Sequence, residues 1–74
     1  MIVDDEPLAI KIIKNYIDKI NYLEFVDSYE SPIDAFEALK GTSIDLIFLD
    51  IDMPHMSGLE LVESLAQAPG IIFT

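Results

Sequence analysis

The sequence predicts an α/β fold built on a doubly wound parallel sheet, and three observations carry that expectation. Short apolar runs rich in strand formers alternate with longer segments whose apolar residues recur at helical spacing, in the order β-α-β-α-β-α-β. The run Leu46-Ile47-Phe48-Leu49 contains no polar residue, as befits a strand covered on both faces. Three times a strand runs into a helix-opening signal: Asp4-Asp5-Glu6-Pro7, Ser31-Pro32, and the turn that ends in Ser57-Gly58. Right-handed crossovers then lay the strands parallel with helices on both faces. In the spatial order 2-1-3-4, strands one and three are neighbours and the topological switch lies between them.

Met1-Ile2-Val3 reads as strand one, and Pro7 stands where a first helical residue is favoured. From Leu8 to Ile20 the apolar residues Ala9, Ile13, Tyr16, Ile17 and Ile20 form one stripe, with Lys11, Lys14, Asp18 and Lys19 between them and acids at the helix's positive end. Asn21 ends that helix, and Leu23 to Tyr29 carries enough β-branched and aromatic residues for strand two. Ser31 is expected to cap a second helix that runs to Lys40, with Gly41 stopping it. Thr42-Ser43 lead into strand three, Leu46 to Leu49, which Asp50 ends. Ser57 and Glu60 are spaced as a capping box for a third helix, from Gly58 to Ala66, with Leu61, Val62, Leu65 and Ala66 on one side. Pro69-Gly70 breaks it, and Ile71 to Thr74 forms strand four.

Composition narrows the function classes. A chain of 74 residues allows one small domain, and with 51% apolar and 24% charged residues it has the material of a packed core. Mean hydropathy is +0.37. No apolar run approaches the ~20 residues that span a bilayer, and no signal-peptide pattern opens the chain, so a cytoplasmic protein with no membrane partner is expected. Cysteine is absent, which removes disulfides and thiolate chemistry and fits a reducing compartment. Four lysines, no arginine and fourteen acids give a formal charge of −10, so phosphate backbones are repelled and this segment is not itself a nucleic-acid binder.

If strands one and three are neighbours, Asp4, Asp5 and Asp50 converge at one strand-end crevice. Three carboxylates there repel one another unless a cation or protons intervene, and hard oxygen ligands with room for water describe a Mg²⁺ site. A carboxylate beside such an ion can also attack a phosphoryl group to give an aspartyl phosphate, and Asp50 is the best placed to do so. Thr74, ending strand four, could donate its hydroxyl to a phosphoryl oxygen in the same crevice. Against this stands a plainer reading of Asp4-Asp5-Glu6 as an N-cap cluster favoured by the helix dipole. Asp52 reads as a solvated loop acid through its side chain and His55 as an exposed loop residue, while Met53 and Met56 are loop packing.

The segments IVDDEPLA, LIFLDIDMPHMSGLEL and IIFT together resemble the receiver domain of two-component response regulators, over essentially all 74 residues. The specific part is the LD-x-x-MP-x-x-x-G pattern at Asp50, Pro54 and Gly58 combined with the paired acids Asp4-Asp5. That resemblance implies a flavodoxin-like sheet, with Asp50 as phosphoacceptor, Asp5 as a direct Mg²⁺ ligand and Asp4 as a water-mediated one. It implies further that the backbone carbonyl of Asp52 completes the protein's share of the coordination and that Thr74 is the switch hydroxyl. A sensor histidine kinase would be the phosphoryl donor, and the readout would pass to an output domain outside this chain. DDEPLA and LDIDMPHMSG also resemble regulators that carry a LytTR-type DNA-binding domain, which makes transcription the expected output. The family's fifth strand, with its phosphoryl-pairing lysine, and its fourth and fifth helices have no counterpart in these residues. Residues 1–74 are therefore expected to be a receiver domain truncated after the fourth strand, incomplete at its C-terminus, with strand four left as an open edge.

Two other functions compete. Phosphohydrolases of the haloacid dehalogenase type also place Asp-x-Asp after an apolar strand, and Asp50-Ile51-Asp52 has that spacing. In those enzymes the motif follows the first strand and a hydroxyl residue stands two places beyond the second acid; here two β-α units precede it and Pro54 occupies that place. A degenerate receiver serving only as an interaction module is opposed by intact Asp4, Asp5 and Asp50 and left open by the missing lysine. The chain is accordingly read as a phosphoacceptor that takes part in its own phosphorylation and turns over no separate substrate.

Overall fold

The computed structural model describes residues 1–53, 57–64 and 69–74. Along them the elements alternate as β1 (Ile2–Val3), α1 (Pro7–Asp18), β2 (Ser28–Tyr29), α2 (Pro32–Gly41), β3 (Leu46–Leu49), α3 (Gly58–Glu63) and β4 (Gly70–Phe73). The strands form one parallel sheet in the order β2-β1-β3-β4, as the α/β reading requires. Ile2 and Val3 pair with Ser28 and Tyr29 on one side and with Phe48 and Leu49 on the other. Leu46 to Leu49 pair in step with Gly70 to Phe73. Pro54, His55 and Met56 of the expected loop, and Leu65 and Ala66 of the expected third-helix stripe, lie outside the described residues.

Several boundaries differ from the sequence reading. β2 covers Ser28–Tyr29 and not Leu23 to Tyr29, because strand structure persists only where a partner backbone runs alongside, and β1 offers two residues. α1 ends at Asp18, two residues early; the amides of Lys19 and Ile20 tighten the last turn by bonding to Tyr16 and Ile17 carbonyls. Ser31 occupies the N-cap position in extended backbone, yet its hydroxyl makes no capping bond. Pro32, with its preset φ, and Asp34 in the first turn mark that helix start instead. Gly41 is the last helical residue and not the residue beyond the end; the β-branched Thr42 stops α2 by turning extended. Gly70 joins β4, its amide donating to the Asp45 carbonyl at 3.0 Å, which leaves Pro69 as the break. The Ser57–Glu60 capping box forms in both directions, as the spacing predicts.

Strand alternation sorts the core. Val3, Ile47 and Leu49 are fully buried on one face with Ala35 of α2 and Leu61 of α3, and Met1 and Met53 join that cluster. Met53, expected as loop packing, is thereby part of the core. Ile2 and the α1 residue Ile17 are buried outside that cluster, consistent with α1 packing against β1 from the other face. Exposed apolar residues include Leu8, Ile12 and Tyr16 on α1, and Ile72 and Phe73 on β4. Among the described residues no helix is long and apolar enough to cross a membrane.

Candidate functional site

The site is built by strand register. β1 and β3 are adjacent and parallel with Val3 opposite Leu49, so the residues that follow, Asp4 and Asp50, emerge side by side at the same sheet end. The Asp50 amide donates to the Val3 carbonyl at 2.9 Å and the Asp4 amide to the Tyr29 carbonyl at 3.0 Å, which extends the ladder into the acids themselves. Asp4 is buried at 5% exposure, while Asp5 and Asp50 are half-buried. One carboxylate oxygen from each of Asp4, Asp5 and Asp50 lies within 4.8 Å of the others. The three acids that the sequence reading placed in one crevice are therefore together.

Two of these carboxylates are oriented by backbone amides. Asp4 Oδ1 accepts from the Glu6 amide at 2.9 Å, and Asp50 Oδ1 accepts from the Asp52 amide at 3.2 Å. The N-cap reading of the first acids survives in one respect, since Asp4 satisfies the amide of Glu6, the N-cap residue of α1. Glu6 itself makes no side-chain cap. Among the described residues no lysine or amine lies within ion-pair distance of the three acids; the ion pair that forms, Lys40–Glu37, is on the surface of α2. Three like charges this close, without a protein cation, form a donor set of hard oxygens that suits a small divalent cation such as Mg²⁺.

Asp52 is exposed, and its carboxylate stands apart from the cluster. Thr74 follows β4, and its amide donates to the Leu49 carbonyl at 2.9 Å, so its backbone sits beside the residue that precedes Asp50. A feature that the sequence does not announce is the close approach at Gly58, a motif position and the expected start of the third helix. The first turn of α3 approaches the Asp50–Ile51 peptide so closely that a Cβ on Gly58 would lie 2.5 Å from the Asp50 carbonyl oxygen. A cavity of about 370 Å³ lies at the other end of the strands, lined in part by Ile17, Tyr22, Leu23, Leu46 and Phe48, and includes none of the site's acids.

The phosphohydrolase alternative needs its acid pair after the first strand of the fold, whereas Asp50 follows β3 with two β-α units before it. The response regulator receiver domain family matches residues 1–74. The sensory transduction protein LytR of Staphylococcus saprophyticus is 40% identical over 76 residues, covering 99% of this chain and 30% of that protein. The transcriptional regulatory protein BtsR of Escherichia coli is 36% identical over 75 residues, covering 99% of this chain and 31% of that protein. The chain thus spans about a third of the length of these relatives. In three dimensions it matches the response regulatory domain of protein mrkE from Klebsiella pneumoniae with a TM-score of 0.85 at 33% identity, over 97% of this chain and 62% of that one. With the strand order, the acid positions and the sequence matches in agreement, the chain belongs to the response regulator receiver family, a group of phosphorylation-controlled signalling domains.

Proposed function

We propose that Asp50 is the phosphoacceptor of this receiver domain and that a sensor histidine kinase supplies the phosphoryl group. The observation that carries the reading is the meeting of the Asp4, Asp5 and Asp50 carboxylates within 4.8 Å at the ends of adjacent strands. Asp50 stands on the rigid end of β3, and the bond from the Asp52 amide to its Oδ1 fixes one oxygen and leaves Oδ2 for attack. That oxygen forms the new bond to phosphorus while the phosphorus–nitrogen bond of the donor phosphohistidine breaks, and the imidazole leaves with the electron pair. Asp5 and Asp50 would hold Mg²⁺ directly, with the Asp52 backbone carbonyl, and Asp4 through water. Bound there, the ion supplies neutralisation of the crowded carboxylates and of the phosphoryl oxygens. The Thr74 hydroxyl would then bond to a phosphoryl oxygen as the switch contact.

Residues 1–74 act in this reading as the receiver unit, without turnover of a separate substrate. The added charge on Asp50 would be read by an output domain elsewhere in the protein. Because the relatives include a transcriptional regulatory protein, we place that output in transcription, through a DNA-binding domain of LytTR type, with the signalling itself cytoplasmic. The formal charge of −10 keeps this segment from contacting nucleic acid directly. Incubating the intact protein with a small phosphodonor and Mg²⁺ and measuring its intact mass tests the proposal: a gain of one phosphoryl group is expected, and no gain contradicts it.

A further inference from the structure

We infer that Gly58 is a positioning residue for the phosphoacceptor: the absence of a side chain there lets α3 lean on the Asp50–Ile51 peptide and hold the acceptor carboxylate in place. The inference rests on the reading of Asp50 as acceptor. A Cβ at Gly58 would lie 2.5 Å from the Asp50 carbonyl oxygen, 3.0 Å from Ile51 Cα and 3.2 Å from the Asp50 carbonyl carbon. All three are main-chain atoms, which cannot swing aside as the tip of a long side chain can. The same approach makes a bond, because the Gly58 amide donates to the Ile51 carbonyl at 2.8 Å. Gly41 and Gly70 differ, with nothing within 4 Å of a Cβ at the first and a nearest atom at 3.4 Å at the second.

The surroundings decide where a forced displacement would go. Retreat of α3 is opposed by Leu61, which is fully buried in the core one turn further on. On the other side, the Asp50 amide is fixed to Val3 by the sheet, so the freedom left is rotation of the Asp50–Ile51 peptide. That rotation carries Ile51 and Asp52 with it. It therefore disturbs the Asp52 amide that orients Asp50 Oδ1 at 3.2 Å, and the Asp52 carbonyl assigned to Mg²⁺. One methyl group at residue 58, which touches neither metal nor phosphoryl group, would misplace both partners of the reaction.

The test compares Gly58→Ala with Gly41→Ala and Leu61→Ala in the intact protein. Three quantities are read: the fraction folded, the amide chemical shifts of Asp50 to Asp52 without metal, and the rate of phosphoryl gain per folded molecule. For Gly58→Ala the shifts should move, and the rate should fall by roughly ten- to a hundredfold, the scale of a misplaced reacting group. Gly41→Ala should match wild type in all three, and Leu61→Ala should lose stability while keeping its shifts and its rate per folded molecule. A Gly58→Ala protein with wild-type shifts and rate overturns the inference alone; a wild-type protein that gains no phosphoryl mass overturns the acceptor reading and this inference with it. If Gly58→Ala does not fold in buffer, the same measurements are made in trimethylamine N-oxide, which favours the compact state. A chain that stays unfolded even then shows that the glycine serves the fold and not the site, and overturns the inference as well.

Discussion

The amide of Asp50 donates to the carbonyl of Val3 at 2.9 Å, a rung of the parallel ladder placed one residue beyond the end of β3. This bond ties the proposed acceptor to the strand that delivers Asp4, so the spacing of Asp4 and Asp50 is set by sheet register, while Asp5 follows in the bend before α1. Such a site is in place before any ligand arrives. Its cost is electrostatic, because the sheet holds three carboxylates together whether or not a cation is present.

Asp5→Asn should therefore stabilise the fold without Mg²⁺ and lose that advantage over wild type once Mg²⁺ is present. Without the ion, removing one of three charges at these separations should stabilise the fold by on the order of 1 kcal/mol. With Mg²⁺ at about ten times its dissociation constant, wild type should gain about 1.4 kcal/mol, and the variant far less. Loss of a direct ligand should weaken Mg²⁺ binding by at least roughly tenfold, the lower end of what outer-shell changes alone cost. Calorimetric titration and denaturant unfolding of both proteins check this, and equal Mg²⁺ affinities would remove Asp5 from the ligand set.

Leu61→Ala should destabilise the domain by about 2–5 kcal/mol, because Leu61 is fully buried between α3 and the sheet beside Ile47, Leu49 and Ala35. Urea unfolding measures the loss. A value under about 1 kcal/mol would mean that α3 is not packed on this core.

Ser57→Ala should cost about 1 kcal/mol by removing the hydroxyl that accepts the Glu60 amide at 3.2 Å. Ser57→Asp should restore most of it, since a carboxylate caps the same amide and favours the positive helix end. Thermal melts of the two variants against wild type separate these outcomes, and an unchanged melting temperature for Ser57→Ala would show that the box contributes nothing.

The acids of the site were legible in the sequence because strand ends and helix starts are local signals. An apolar tetrad followed by Asp50, and Val3 followed by Asp4-Asp5 before Pro7, needed only the alternation rule to bring them together. What was not legible depended on partners. Leu23 to Val26 has the composition of a strand, but pairing with β1 begins only at the Asp27 carbonyl, which accepts from the Ile2 amide, and continues through Ser28 and Tyr29. Ser31 has the identity of a cap and not the bond, while Ser57, in the same kind of position, makes it. Gly58 stood in the motif, yet the reason for glycine is a through-space approach to Asp50 that no spacing along the chain reports.

The central claim, that Asp50 alone accepts the phosphoryl group, is tested most directly by intact-mass measurement of Asp50→Asn and Asp52→Asn beside wild type, each incubated with a small phosphodonor and Mg²⁺. Asp50→Asn should gain nothing, because its amide oxygen is no nucleophile toward phosphorus. Asp52→Asn should gain one phosphoryl group as wild type does, since its exposed side chain stands outside the cluster and its backbone amide and carbonyl are unchanged. A phosphoryl gain on Asp50→Asn together with none on Asp52→Asn would contradict the account.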